Sequence, residues 1–257
     1  MRCAPCALRQ TPCAARHALC VVMPVFLLSE KLAFPPPHFA AEEGLLAVGG
    51  DLSRERLLLA YRSGIFPWYT DEEPVLWWSP DPRLVLYPDE IHISKTLKKV
   101  LNKKMFSVTM DRAFDQVISA CADSRLENNE GTWLVADMID AYCDLHQSGY
   151  AHSVEVWHDD QLAGGLYGVC LGRLFFGESM FTRINNASTV ALVTLVEQLK
   201  ALSFDLIDCQ VTTAHLMRLG AREIPRTMFL RQLRKSITAP TMKGRWEFSE
   251  DEGICVC

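Results

Sequence analysis

Hydrophobic and polar positions follow a helical period through much of the first half of the chain and a period of two through its middle. Ser53 precedes a stretch in which Leu57, Leu58 and Tyr61 share one face, and Gly64 closes it, so a capped helix is predicted there. Ser94 likewise precedes a short helix over residues 95–104, and Phe106 to Met110 is a strand candidate. Asp111 is placed to cap a helix that turns Ala113, Phe114, Val117, Ile118 and Cys121 inwards. A further helix presents Val135, Met138, Ile139, Tyr142 and Leu145 and ends at Gly149. From Ala151 the residues alternate. Ala151 to Trp157, Leu162 to Cys170 and Arg173 to Gly177 read as three strands, joined by turns at Asp159-Asp160 and Gly172. A long amphipathic helix from Asn186 to Leu202, a buried strand from Phe204 to Asp208 and helices around 213–219 and 227–235 complete the order. The stretch from Gly64 to Pro82 holds Trp68, Trp77 and Trp78 among four prolines, which predicts a rigid aromatic loop rather than a regular element. The fold class is α+β, with a mainly antiparallel central sheet flanked by helices.

Composition narrows the picture. A chain of 257 residues suits one large domain, or one domain with a smaller partner, and 49% hydrophobic residues suffice for a core. No apolar run reaches the roughly 18 residues of a membrane-spanning helix, so no membrane role is expected. Acids outnumber bases 31 to 26, which excludes a globally basic nucleic-acid binder. Of the ten cysteines, six lie near the two ends; Cys121, Cys143, Cys170 and Cys209 fall among apolar residues and read as buried thiols of a reducing compartment. Cys3-x-x-Cys6 has no matching second pair for zinc. Residues 1–22 carry three Arg and no acid but lack a signal-peptide cleavage site, and read as an extension ahead of Met23.

Four features carry possible chemistry. Gly177-Glu178-Ser179 places an acid and a hydroxyl where the third strand ends, either as a solvated turn or as a ligand-holding loop. Asp208 and Gln210 share one face of a buried strand, with Ile207 and Cys209 on the other; they can satisfy each other or read an amine or guanidinium. Residues 91–107 hold Lys95, Lys98, Lys99, Lys103 and Lys104 and no acid, either a solvated helix face or a phosphate-contacting stripe. Trp68, Trp77, Trp78 and Trp133 stand in Pro- or Gly-rich loops, as packing residues or as stacking platforms. No Walker loop, nucleophile elbow, His-Glu-x-x-His or dinucleotide fingerprint is present.

These segments together resemble the bacterial leucyl/phenylalanyl-tRNA–protein transferases. The resemblance runs from about Phe34 to Phe248 and includes Leu45 to Ser53, Gly64-Ile65-Phe66-Pro67-Trp68, Leu76 to Arg83, Gly131-Thr132-Trp133, His152 to Trp157, Phe176 to Phe181 and Ile207-Asp208-Cys209-Gln210. It implies transfer of Leu or Phe from an aminoacyl-tRNA to the N-terminal Arg or Lys of a protein, marking that protein for degradation. It also implies a small N-terminal domain (23–88), a GNAT-like acyltransferase domain (89–248) and an acidic tail (249–257). The acetyl-CoA enzymes of that fold hold pyrophosphate with a loop this chain lacks, which argues against the rival reading of an N-acetyltransferase. A non-catalytic binder of tRNA or of basic N-termini is the second rival, against which the retained Asp208-x-Gln210 and Glu178 speak. Carried over by position, Leu166, Phe175, Met180, Leu192, Leu195 and Ile207 form the pocket for the Leu or Phe side chain; Leu166 stands where Met is expected and Leu195 where Phe is expected. Trp68 and Trp133 enclose the terminal adenosine, Lys95, Lys98, Lys99 and Lys103 contact the acceptor stem, and Asp208, Gln210 and Glu178 form the reaction-site polar group. No cofactor and no metal are implied, the location is cytoplasmic, and a monomer is expected.

Overall fold

The computed structural model describes residues 25–127, 134–249 and 253–256. The extension at 1–22, with Cys3-x-x-Cys6, and the Gly131-Thr132-Trp133 segment lie outside the described residues. Two sheets organise the chain. The smaller contains β1 (Phe26–Leu28), β2 (Leu45–Gly49), β3 (Phe66–Pro67) and β4 (Leu76–Trp78) in the order β1-β2-β4-β3. Helix α1 (Arg54–Arg62) lies between β2 and β3; the Ser53 side chain accepts from the Arg56 N–H, and Gly64 ends the turn at φ +75°. The predicted aromatic loop is therefore partly regular. Trp77 and Trp78 pair with Pro67 and Phe66, and their indole N–H groups donate to Gly49 O (2.8 Å) and Trp68 O (2.7 Å). Pro67 is tolerated because β3 is an edge strand.

The larger sheet has seven strands in the order β11-β5-β10-β9-β8-β7-β6. In chain order these are β5 (Arg83–Leu86), β6 (Ser107–Met110), β7 (Ala151–His158), β8 (Gln161–Leu171), β9 (Leu174–Thr182), β10 (Leu206–Gln210) and β11 (Arg222–Ile224). All pairs are antiparallel except β9 with β10. Strand β5, counted above with the N-terminal domain, thus sits inside the main sheet. The helices are α2 (Lys95–Asn102), α3 (Phe114–Glu127), α4 (Ala136–Gln147), α5 (Ala187–Ala201), α6 (Ala214–Arg218) and α7 (Arg226–Ser236). Strand β12 (Trp246–Ser249) pairs with β13 (Gly253–Val256) as a terminal hairpin.

Strand alternation divides the core into two layers. Tyr167, Phe176 and Leu206 face a cluster built with α1, α3, α4 and α7. Leu166, Phe175 and Ile207 face the opposite cluster, built mainly with α5 and joined by Leu97 of α2. Asp111 does not cap α3. It stands at φ +51°, and its carboxylate accepts from the Ser153 N–H (2.8 Å) and the Trp246 N–H (2.7 Å) and pairs with His152 Nδ1 (2.8 Å). Glu155 instead accepts from the backbone N–H groups of Arg112 and Ala113, at 3.4 Å, ahead of the helix. A buried carboxylate needs several donors, and short-range pattern does not say which donors fold onto it.

Strand β9 runs five residues beyond the predicted end at Gly177. Pairing with β8 continues from Ser179 opposite Tyr167 to Thr182 opposite Gly164. Gly177 and Glu178 read locally as a turn, but a long partner strand overrides that signal.

Candidate active site

The bulge that β10 makes against β5, between Asp208 and Gln210, builds the site. Gln210 stands at φ +62°, a conformation that disfavours a side chain with a Cβ. Asp208 holds it there: its Oδ1 accepts from the Gln210 N–H at 3.0 Å. Asp208 is fully buried and is gripped from behind by Arg83 of β5, whose Nε and Nη2 donate at 2.8 and 2.7 Å. The guanidinium lies between the rings of Phe66 and Phe229, at 4.8 and 4.6 Å from their centroids.

Gln210 also borders a cavity of about 440 Å³ that opens beyond the last β9–β10 pair, Phe176 with Asp208, and is lined from both layers, by Phe66 and Tyr167 of the first cluster and by Leu166, Phe175 and Ile207 of the second. There Gln210 Nε2 donates to Glu178 Oε1 at 2.8 Å, while the Tyr142 hydroxyl donates to Oε2 at 2.9 Å and hydrogen-bonds in turn to Tyr61. When ionised, Glu178 only accepts, so the Gln210 amide presents its NH₂ to it, and the amide oxygen bonds to nothing among the described residues. Burial pushes the Glu178 carboxyl up to about 7, against the lowering effect of the Tyr61, Tyr142 and Gln210 hydrogen bonds; the nearby Asp208 charge adds to the rise. Glu178 is therefore no solvated turn acid. Its position in β9, 8% exposed, is what makes it titrate near neutrality.

All six residues expected to form the apolar pocket line this cavity: Leu166, Phe175, Met180, Leu192, Leu195 and Ile207. Glu178, Gln210 and Trp68 line it too. Trp68 is 40% exposed, with its ring 5.7 Å from Trp78. Asp208 stays outside the lining, behind Gln210. Cys209 also lines the cavity, although alternation turns it away from Gln210: Cys209 packs against the second cluster while Gln210 reaches Glu178 beside the tyrosines of the first, and the cavity takes in both layers. Lys95, Lys98, Lys99 and Lys103 are exposed on α2 and at its C-terminal end, and none lines the cavity. Trp133 lies outside the described residues.

Three residues of the constellation are not singled out by sequence. Arg83 is the partner that a carboxylate in an apolar strand requires, but only the sheet order makes it adjacent. Tyr61 and Tyr142 look like ordinary core positions on helix faces, and no local signal marks them as donors. Among the described residues no group of three or more His, Cys, Asp or Glu could hold a metal, and no helix is long and apolar enough to cross a membrane. Cys143, Cys170 and Cys209 are free thiols, and Cys121 is buried in the core.

Residues 85–234 match the family model for leucyl/phenylalanyl-tRNA protein transferase, and residues 50–81 match the model for the N-terminal domain of those proteins. The leucyl/phenylalanyl-tRNA–protein transferase of Desulfatibacillum aliphaticivorans is 57% identical over 232 residues, covering 90% of this chain and 100% of the relative. That of Syntrophobacter fumaroxidans is 61% identical over 225 residues, covering 88% of this chain and 96% of the relative. Among solved structures, a protein of unknown function from Bacteroides thetaiotaomicron shares 10% identity at a TM-score of 0.41, over 62% of this chain and 56% of that one, a likeness too slight to carry an argument.

Proposed function

The chain belongs to the leucyl/phenylalanyl-tRNA–protein transferase family, and on that premise we propose how its residues move Leu or Phe from an aminoacyl-tRNA onto the N-terminus of an acceptor protein. The observation that carries the reading is the cavity itself. It joins an apolar wall large enough for a Leu or Phe side chain to a buried Glu178–Gln210 pair. The ester of the donor is already activated, so the reaction needs orientation more than further activation. The acceptor α-amine attacks the ester carbonyl, the C–N bond forms, and the bond to the ribose oxygen breaks. The amine gives up a proton, and the departing oxygen takes one.

An amide is too weak a base to take that proton, but the free oxygen of Gln210 is well placed to accept a hydrogen bond from the amine and aim it. Glu178 orients the amide and supplies the negative charge that favours acceptors beginning with Arg or Lys. Asp208, neutralised by Arg83, fixes the backbone of Gln210 and is a positioning residue. Trp68, with Trp133, encloses the terminal adenosine. The domain behind the cavity is read as GNAT-like, acting in the cytoplasm as a monomer, and the product carries a degradation signal at its new N-terminus. Incubation with labelled Leu-tRNA and a peptide beginning with Lys tests the whole reading. Label is expected in the peptide; acetylation of that peptide from acetyl-CoA without label transfer would favour the rival enzyme.

Two further outcomes are expected. Met180 is partly exposed at the cavity wall. Met180→Trp should fill the space and raise the KM for Leu-tRNA about tenfold or more, with the thermal midpoint little changed; an unchanged KM would exclude this wall as the side-chain pocket. Lys98 and Lys99 are solvent-exposed on α2. Replacing both with Ala should weaken tRNA binding and reduce the log–log salt slope by about 1.5. An unaltered slope would remove α2 from the tRNA contact.

A further inference from the structure

The hydrogen-bonding side chains around the cavity are not equally engaged. Glu178 and Gln210 are bonded to each other, and the Thr213 hydroxyl accepts from the Leu216 N–H. Ser179 Oγ and His215 Nε2 are shut away from solvent yet bond to nothing among the described residues. Both residues line the same cavity. Buried polar atoms left without partners cost free energy unless a ligand satisfies them, so an apolar cavity that keeps two is shaped for a ligand with matching groups.

Resting on the transfer reading, we infer that Ser179 and His215 form a subsite for the free α-amine of the donor amino acid, so that the cavity reads an amino acid rather than any apolar acyl group. Placement favours this. Ser179 adjoins Met180, and His215 adjoins Leu216, both in the cavity wall. The α-amine stands one bond from the side chain's point of attachment, on the carbon that the wall must hold. An amine brings N–H donors, and a hydroxyl oxygen and an imidazole lone pair both accept. Burial and the neighbouring Arg218 charge hold the His215 imidazole below its ordinary range, so it is neutral and offers a lone pair at neutral pH. The other titratable groups facing the cavity are Glu178, held by Gln210 and Tyr142, Tyr167, whose ring packs edge-on against Phe114 and Tyr142, and Cys209, whose thiol burial pushes well up. Each of the three already has a partner of its own.

The test is binding, which separates this subsite from a proton-transfer role. Two unreactive ligands are titrated against the full chain by calorimetry: adenosine carrying leucine through a 3′-amide, and the same adenosine carrying 4-methylpentanoic acid, which lacks only the amine. The wild type is expected to bind the leucyl amide at least tenfold more tightly. Ser179→Ala, His215→Ala and the milder His215→Asn should each erase much of that preference while leaving the affinity for the amine-less ligand within about twofold. The unchanged affinity reports an intact fold. Equal weakening of both ligands, unchanged binding of both, or no preference in the wild type overturns the subsite. Failure of the wild type to bind either ligand would overturn the donor-site reading beneath it.

Discussion

Arg83→Met is expected to lower the unfolding free energy at pH 7 by about 3–5 kcal/mol, the cost of leaving a buried carboxylate without its cation. Arg83 and Asp208 are 1% and 0% exposed, and their two hydrogen bonds are 2.8 and 2.7 Å. Water cannot replace the guanidinium at that depth, and the Gln210 N–H, the other donor to Asp208, carries no charge. The methionine keeps apolar contact with Phe66 and Phe229, so the deficit is chiefly electrostatic. Arg83→Met with Asp208→Leu should recover most of the stability and still not restore transfer, since nothing then holds Gln210 at φ +62°. Denaturant midpoints at pH 7 for the single and double variants check this; a single variant as stable as wild type would detach Asp208 from Arg83 as its anchor.

Glu178→Gln should lower kcat/KM for transfer about a hundredfold and yet raise stability above pH 7. The two effects share one cause. The carboxyl is raised from an ordinary 4.5 to about 7 chiefly by burial. The folded state therefore binds this proton more tightly than the unfolded chain does. Its contribution to stability is fullest below about 4.5 and is lost as the pH rises towards and through 7; the span is worth about 3 kcal/mol. A neutral amide escapes that loss and still offers an oxygen to Gln210. It lacks the charge that draws a cationic N-terminus and fixes the Gln210 amide one way round, so reactants are held less well. The wild-type pH–rate profile should contain an ascending limb near 7 that the variant lacks. The acceptor amine titrates in the same region, so the profiles need comparison on one peptide. If the limb persists unchanged in Glu178→Gln, it belongs to the amine and Glu178 is not the titrating group.

The arrangement explains why a buried acid, an amide and a strained backbone coincide. Each alone is unfavourable. Arg83 neutralises Asp208, Asp208 fixes the Gln210 backbone, and Glu178 fixes the Gln210 side chain. Strain stored at one residue persists when its surroundings over-determine it.

Much of this was legible along the chain. Ser53, Ser94 and Thr213 cap helices as short-range chemistry dictates, each accepting from an N–H three residues on. The change of period at Ala151 announced the antiparallel strands, and the apolar positions that line the cavity were named by resemblance to the family. These are matters of local propensity and of one-dimensional pattern. Tertiary structure alone decided the rest. It carried β9 past Gly177 and so buried Glu178; it set β5 beside β10 and so gave Asp208 its Arg83; it bulged β10 and so held Gln210 at φ +62° with its amide on Glu178. It also took Asp111 away from the helix it was expected to cap and made it the buried acceptor that ties Ser153, His152 and Trp246 together. The physical reason is common to all four. A residue's own pattern says whether it prefers to be buried, but the charge state and hydrogen bonds of a buried polar group are fixed by partners tens to more than a hundred residues away, and only the folded sheet brings those partners within 3 Å.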